Sequence, residues 1–364
     1  MKKQSVKSKI LQAFLERPDR ALSGEQLAAA FQVSRTAVWK AVNTLRAEGY
    51  RIEGQPKSGY RLLPDQDAEG PRAGRFNAAE IIARLPEQCR AFYEVHTVEE
   101  TGSTNSDVRD RGLQGAKEGY VLFAESQTAG RGRQGRRFFS PKGSGLYVSI
   151  LLRPDLPATE AVLLTAMAGV AAARAVESLL PAEETDASGS ASHKSAGEAP
   201  QPVMIKWVND LFFRGRKICG ILTEGQLSME NGGFDQAVLG LGFNLTAPEE
   251  GWPEEIRGIA GGLFSAADPD RAALPADARA DLAAAFLREF LPLYRGLSDK
   301  TFLPEYRSRM MILGKEVILN MQDGRERTAE AVDIDDQCRL LVRFPDQEML
   351  TPLGSGEVRI RPKA

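Results

Sequence analysis

Apolar residues Val6, Ile10, Leu11 and Phe14 fall at i, i+4, i+5 and i+8, a spacing that predicts a helical face, and Pro18 ends it. Ser23 stands three positions before Gln26 at the head of a stretch through Leu27 and Phe31, a capping-box signature for a second helix. After the short Gln32-Val33 link, Ser34 is another N-cap, and Val38, Val42 and Leu45 predict a third helix stopping near Gly49. Residues 50–53 and 59–63 alternate like two strands around Gly54-Gln55-Pro56-Lys57-Ser58. The stretch 64–74 is polar and rich in Pro and Gly, as linkers are, and residues 77–85 read as a short helix. Between Gly119 and Phe243, strand patterns at 121–124, 146–152, 203–207, 218–224 and 237–243 accompany one long helix over 158–180. Strands that follow one another with no helix between them predict a mixed α+β sheet. Residues 181–202, rich in Ala, Ser, Glu, Gly and Pro, read as a disordered or extended surface insertion. Leu282, Phe286, Phe290, Leu293 and Tyr294 predict a helix ending near Gly296. Beyond Gly314, strands at 316–321, 328–334, 340–344 and 357–360, with turns at 322–324 and 335–337, predict a small antiparallel barrel.

At 364 residues the chain is long for one domain, and the pattern divides it into 1–63, a linker at 64–74, 75–312 and 313–364. Hydrophobic residues at 42% and charged ones at 26% exclude collagen, coiled coil and wholesale disorder. The net charge of -2 conceals a segregation. Residues 1–63 hold 12 Lys or Arg against 5 Asp or Glu, while the remainder holds 35 against 44. Three short helices and a hairpin carrying +7 resemble the winged helix-turn-helix domains of bacterial repressors. A protein-interaction module would share that outline, but the charge and the Ser34-Arg35-Thr36 start of the third helix point to DNA. Ser34, Arg35, Thr36, Lys40 and Asn43, with Lys57 in the wing, are the candidate DNA contacts; Trp39 fits the outer face or the interior equally well.

Cys89, Cys219 and Cys338 form no C-x-x-C pair, so neither a disulfide framework nor a thiolate zinc site is expected, and a reducing cytoplasm fits best. The most apolar run, 161–173, is 13 residues, below the length of a spanning helix, and Met1-Lys2-Lys3-Gln4 leads into no apolar signal core. No membrane role is expected. His96 and His193 are too far apart to suggest a metal cluster or a nucleophile triad.

The segment with the strongest chemical character is Gly130-Arg131-Gly132-Arg133-Gln134-Gly135-Arg136-Arg137. It satisfies G-x-G-x-x-G, yet Phe138-Phe139-Ser140-Pro141 and a further Gly-rich turn follow where a dinucleotide fold would open a helix. A mobile loop is the better account, in which glycines allow close backbone approach and arginines supply fixed positive charge to phosphate. Lys206-Trp207-Val208-Asn209-Asp210 ends a strand, and Lys217-Ile218-Cys219-Gly220-Ile221-Leu222-Thr223-Glu224 follows after a short turn.

These segments, with Ser103-Thr104-Asn105 and Gln127, closely resemble the signature of biotin protein ligases. With the winged helix in front, almost the whole chain is similar to the bifunctional biotin ligases and biotin operon repressors of bacteria, the BirA family. The resemblance implies a central sheet like that of class II aminoacyl-tRNA synthetases and biotin synthetases, and an SH3-like barrel at the C-terminus. It implies that Ser103, Thr104 and Asn105 bind or line the pocket of the biotin ureido ring and that Gln127 flanks the biotin tail. It further implies that Arg131, Gly132 and Arg133 belong to a loop closing over the adenylate and that Lys206 lies against the carboxylate and α-phosphate. Gly220, Ile221, Leu241 and Asn244 match pocket segments, while Gly130, Arg136, Asn209 and Asn244 are placed on the adenylate side. Lys206, Arg131 and Arg133 are the catalytic candidates. The implied reactants are ATP with Mg²⁺ and biotin, the intermediate biotinyl-5′-AMP, and the partners a biotin carboxyl carrier protein, operator DNA and a second copy of the chain. Glu357 and Arg361 are either ATP or acceptor contacts or surface charges on a capping barrel.

Two residues depart from the family pattern. Val208 stands where proline is usual, which should loosen that turn, and Phe138 stands where tryptophan is common after the Arg/Gly loop. Three functions fit the chain. They are the bifunctional ligase and repressor, a lipoate or octanoyl ligase or transferase of the same catalytic fold, and a metabolite-sensing regulator without catalysis. The Arg/Gly loop and the winged helix count against the second, and the Lys206, Arg131 and Arg133 set against the third.

Overall fold

The computed structural model describes residues 6–17, 20–47, 50–55, 58–63, 76–180, 203–227, 232–265, 274–275, 277–320, 325–354 and 359–362. The expected linker at 64–74, the insertion at 181–202, Lys57, Glu357 and the turn at 322–324 lie outside the described residues.

The N-terminal helices are α1 (Val6–Leu15), α2 (Gly24–Phe31) and α3 (Arg35–Ala47), and the wing is β1 (Ile52–Gln55) paired antiparallel with β2 (Gly59–Leu62). The capping box forms as the sequence demands: Gln26 N donates to Ser23 Oγ at 3.0 Å and Ser23 N donates to Gln26 Oε1 at 3.1 Å. Gln32 ends α2 in the left-handed region, with φ 54°, and the chain reverses at once into α3, where Ala37 N donates to Ser34 Oγ at 3.1 Å. Ile10, Phe14, Leu27, Val38, Val42 and Leu45 close the core of this domain.

The domain rests on α4 (Ala78–Arg84), followed by α5 (Glu87–Phe92). Asn77 caps α4 and donates its Nδ2 to Tyr50 Oη at 3.0 Å, while Tyr50 Oη donates to Glu80 Oε1 at 3.2 Å. Ala79 of α4 is buried in the N-terminal core, and Arg90 of α5 pairs with Glu16 at 2.8 Å.

Next come β3 (Glu94–Thr101), α6 (Thr104–Leu113), β4 (Tyr120–Gln127), β5 (Gly145–Leu152), α7 (Ala161–Glu177), β6 (Met204–Lys206), β7 (Asp210–Phe213), β8 (Arg216–Leu227) and β9 (Phe234–Asn244). The seven strands form one sheet in the order β3-β4-β5-β9-β8-β7-β6, with β3 parallel to β4 and every other pair antiparallel. The mixed sheet is the expected one. The single helix expected over 158–180 begins as a 3-10 turn and becomes α-helical only from Ala161.

α8 (Glu254–Arg257) sits in the loop after β9, and α9 (Ala278–Arg295) and α10 (Leu303–Ser308) follow. α7 and α9 cover one face of the sheet, Phe286 of α9 meeting Phe243 of β9 edge to face at 6.0 Å between ring centres. α6 covers part of the opposite face through Val108, against Leu122, Leu151 and Val238. The rest of that face is left open. Strands β10 (Glu316–Asn320), β11 (Glu326–Ile334), β12 (Leu340–Arg343), β13 (Thr351–Leu353) and β14 (Arg359–Pro362) pair antiparallel in the order β13-β12-β11-β10-β14. Val317, Ala329 and Val342 join the core of the central domain, so the C-terminal sheet is packed against it. No helix among the described residues is long and apolar enough to cross a membrane.

Phe286 is fully buried between Phe243 and Phe290. Phe286→Ala should cost about 3–5 kcal/mol, the usual range for deleting a buried aromatic, read as a lower urea midpoint of the unfolding step that exposes the central domain.

Candidate functional site

Side chains alternate along a strand, and here the alternation makes a cleft. In β9, Leu239, Leu241 and Phe243 join the core beneath α7 and α9, which leaves Gly240, Gly242 and Asn244 on the open face. β8 repeats the pattern, with Cys219 and Ile221 in the core and Gly220, Leu222 and Glu224 opposite. Gly240 abuts the Asn105 amide and Gly242 abuts the Phe138 ring so closely that a Cβ at either would collide with them. The missing side chains let Asn105 and Phe138 seat close against the sheet, where both line a cleft of about 460 Å³.

The end of the cleft nearest α6 is built of neutral hydrogen-bonding groups. Ser103, Thr104 and Asn105 are buried there, at the start of the helix. Gln127, at the end of β4, accepts from Thr104 N at 2.9 Å and from Thr104 Oγ1 at 3.1 Å, and donates to Ser140 Oγ at 2.9 Å. Ser149 Oγ lies 2.8 Å from Thr104 Oγ1 and 2.6 Å from Asn105 Oδ1, so its single proton serves one of them at a time. Asn105 Nδ2 donates to Glu224 Oε2 at 2.8 Å.

Cations gather at the other end. Arg131, Arg133, Arg136, Lys206 and Lys217 all line the cleft, with Asp210 among them. The loop that carries the arginines is closed on itself: Gly132 N donates to Arg136 O at 2.7 Å, and Phe138 N donates to Gly130 O at 2.9 Å. Gly130 is buried behind this loop, while Gly132 faces the cleft. Arg131 pairs with Glu224 Oε1 at 3.0 Å, and Arg133 Nη1 donates to Asn209 Oδ1 at 3.0 Å. Burial pulls the Arg133 pKa below the ordinary arginine value, partly offset by the nearby Asp210 carboxylate. Lys217 pairs with Asp210 at 2.7 Å, and Asn244 Nδ2 donates to Lys217 O at 3.2 Å.

Lys206 ends β6 on the wall of the cleft, and the turn after it is held from three sides. Asn209 Nδ2 donates to Ile221 O and Ile221 N donates to Asn209 O, both at 2.9 Å. Trp207 Nε1 donates to Cys338 O of the C-terminal domain at 3.0 Å, and Tyr306 Oη donates to Val208 O at 3.1 Å. Val208, expected to loosen this turn, is buried in the core, and the Trp207–Val208 peptide is cis. Phe138 fills the space above Gly220 and Gly242 and meets Tyr147 at 6.4 Å between ring centres.

Ser103, Thr104, Asn105, Gln127, Arg131, Gly132, Arg133, Arg136, Lys206, Asn209, Gly220 and Asn244 therefore all line one cleft. Gly130 alone of the expected set stands behind it. Glu224, Ser149, Asp210 and Lys217 are structural participants that residue-by-residue reading missed. Glu224 shares a strand face with the expected Gly220 at a spacing of four, which puts it on the cleft side but does not name its distant partners. Ser34, Arg35, Thr36, Lys40 and Asn43 lie elsewhere, on the outer side of the helix-turn-helix. The buried thiols have no part in the cleft chemistry; burial pushes Cys219 well above its ordinary pKa and Cys338 to about 12.

Comparison with known proteins agrees with this division. Residues 98–244 match the biotin/lipoate A/B protein ligase family, 6–61 match an HTH domain, and 312–361 match the biotin protein ligase C-terminal domain. The bifunctional ligase/repressor BirA of Bacillus spizizenii is 30% identical over 264 residues, 72% of each protein. A biotin--[acetyl-CoA-carboxylase] ligase of Mycobacterium tuberculosis is 32% identical over 264 residues, 72% of this chain and 87% of that protein. In fold, the biotin protein ligase of Aquifex aeolicus solved with biotin and ATP aligns with a TM-score of 0.56 at 24% identity, covering 75% of this chain and all of that one. The HTH, ligase and ligase C-terminal matches follow one another along the chain, and the chain belongs to the BirA family of bifunctional biotin protein ligases and repressors.

Proposed function

We propose that this chain activates biotin with ATP, passes it to a lysine of the biotin carboxyl carrier protein of acetyl-CoA carboxylase, and represses biotin synthesis genes when the intermediate is bound. The work is divided among residues 1–63 for DNA, 75–312 for catalysis and 313–364 as a supporting domain, with 64–74 as the link, and it takes place in the cytoplasm. One observation carries the reading: a single cleft sets a buried neutral hydrogen-bonding wall beside a cluster of cations. Those are the needs of an uncharged ureido ring and of a reacting carboxylate and phosphate, respectively.

Ser103, Thr104, Asn105 and Gln127 hold the ring and tail of biotin. A carboxylate oxygen of biotin then attacks the α-phosphorus of ATP, forming biotinyl-5′-AMP as the bond to pyrophosphate breaks. Both reactants are anions, so Lys206 is placed to neutralise the carboxylate and α-phosphate as charge builds, with Arg131, Arg133 and Arg136 at the phosphates. Asn209 and Asn244 orient the adenylate, and Gly132 and Gly220 leave it room. The acceptor lysine, as a free amine, then attacks the acyl carbon and AMP departs. No enzyme nucleophile is needed, in keeping with inert, buried thiols. Mg²⁺ would be held largely through the nucleotide phosphates, as it commonly is, and would lend them further charge neutralisation.

Arg131 is 43% exposed. Its pair with Glu224 is therefore worth at most about 1 kcal/mol, little to give up when a more highly charged phosphate competes for the same guanidinium. The loop can thus exchange its carboxylate for the adenylate and exclude water from the mixed anhydride.

Lys206→Ala should cut biotin-dependent pyrophosphate exchange at least about 100-fold, the scale of losing a preorganised charge at the reacting centre; an unchanged exchange rate would sink the assignment. Arg133→Gly removes the bond to Asn209 and should speed escape of biotinyl-5′-AMP, measured by rapid filtration of the loaded enzyme. Offering biotin or lipoate with a carrier domain separates this reading from a lipoate or octanoyl ligase, and the absence of any transfer would leave only a regulator. Repression at paired half-sites calls for a dimer bound to biotinyl-5′-AMP. Sedimentation should show a heavier species only when biotin and ATP are both present, and a persistent monomer on operator DNA would exclude that form of repression.

A further inference from the structure

Helix α3 divides into two faces. Val38, Ala41, Val42 and Leu45 are buried in the N-terminal core, while Arg35, Thr36 and Lys40 are exposed. One large apolar side chain stands among the exposed ones: Trp39, at 54%. Phe14 and Tyr50 of the same domain are buried, and Phe31 and Tyr60 are half-buried. At 3.6 residues per turn, Arg35, Trp39 and Asn43 form an i, i+4, i+8 row along this face, with Thr36 and Lys40 beside it. An indole in such a place forgoes the burial that the adjacent core offers the other apolar residues of the helix.

The far end of the row is fixed by the wing. Arg46 Nη1 donates to Asn43 Oδ1 at 3.3 Å, Arg46 Nε donates to Ile52 O at 2.9 Å, and the guanidinium lies 5.9 Å from the centre of the Tyr60 ring in β2. A guanidinium can only donate, so this contact engages the Asn43 amide oxygen and leaves the donor Nδ2 to face another partner. The row therefore offers an apolar ring next to a hydrogen-bond donor, flanked by Arg35 and Lys40. In the major groove thymine alone presents an apolar group, its 5-methyl, and it carries the O4 acceptor beside it.

We propose that Trp39 and Asn43 form a thymine-reading pair, Trp39 packing on a 5-methyl group and Asn43 Nδ2 donating to O4 of the same or the neighbouring thymine. Arg35 and Lys40 meet the flanking phosphates, and Arg46 is a positioning residue that links this pair to the wing. The inference rests on the DNA-binding role proposed above and names the base it reads.

The test begins by selecting preferred duplexes from a random pool with the full-length protein, biotin and ATP. Each thymine of the selected site is then replaced by uracil, and affinity is followed by fluorescence anisotropy. At the Trp39 position uracil should weaken binding about four-fold, the scale of one methyl group leaving an apolar contact. Trp39→Ala should weaken selected-site binding roughly ten-fold and abolish the uracil penalty there, while binding to random duplex and biotin transfer stay as in the parent. A uracil penalty that survives in Trp39→Ala overturns the pairing. So does an equal loss on selected and random duplexes, or a loss of self-association with the uracil penalty intact. If the parent enriches no sequence at all, the DNA-binding role itself falls.

Discussion

The site depends on the absence of three side chains from one face of a sheet. Gly220, Gly240 and Gly242 share the face of β8 and β9 opposite α7 and α9, and Asn105 and Phe138 occupy the space their side chains would fill. The same period of two that empties this face fills the other with Cys219, Ile221, Leu239, Leu241 and Phe243. Core and cleft are thus two readings of the same strands. A register shift of one residue would bury the glycines and expose the core, so the stability of the sheet and the existence of the site are specified together.

Glu224 shows how charge is managed across that surface. Its carboxylate accepts from Asn105 on the neutral wall and pairs with Arg131 on the loop. Without it, Asn105 would have one fewer partner in a nearly buried position and the loop would lose its anchor to β8. Asp210 does similar work for Lys217 at the cationic end. Each carboxylate sits where it balances a cation, the Arg131 pair on a partly exposed guanidinium and the Lys217 pair on more deeply buried groups.

How much of this was legible in the sequence depends on how local each signal is. The N-terminal domain was almost fully readable, because caps such as Ser23 and Ser34 and the apolar spacing of α1 and α3 lie within a few residues of what they control. β3, β7 and α6 were not read. β3 is an edge strand whose Glu94, Glu99 and Glu100 face water, so it lacks an apolar alternation. α6 begins inside the Ser103-Thr104-Asn105 motif with no side-chain cap, and its polar sequence gives little helical periodicity. The cleft residues were found as a set only through motif resemblance. Their convergence from β4, α6, β6, β8 and β9 depends on non-local pairing, which no short window of sequence contains. Glu224 was missed for that reason: its partners are 93 and 119 positions away.

The two halves of the charge segregation meet at α4. Tyr50, where α3 gives way to the wing, bonds to both Asn77 and Glu80, and Glu80 also pairs with Arg84 at 2.7 Å, whose Nε donates to Asp281 of α9 at 2.7 Å. α9 in turn presses Phe286 onto Phe243, the residue between Gly242 and Asn244 of the cleft. A continuous set of packed elements therefore joins the end of α3 to the floor of the cleft. Contiguity alone does not make a signal, because coupling requires an element with two arrangements that both sites favour differently. The Arg131 loop supplies the candidate element at the ligand end, since its pair with Glu224 is weak enough to break. At the other end, the hydrogen bonds of Tyr50 to Asn77 and Glu80, the burial of Ala79 in the N-terminal core and the Arg90–Glu16 pair are the contacts through which the basic domain meets the acidic body.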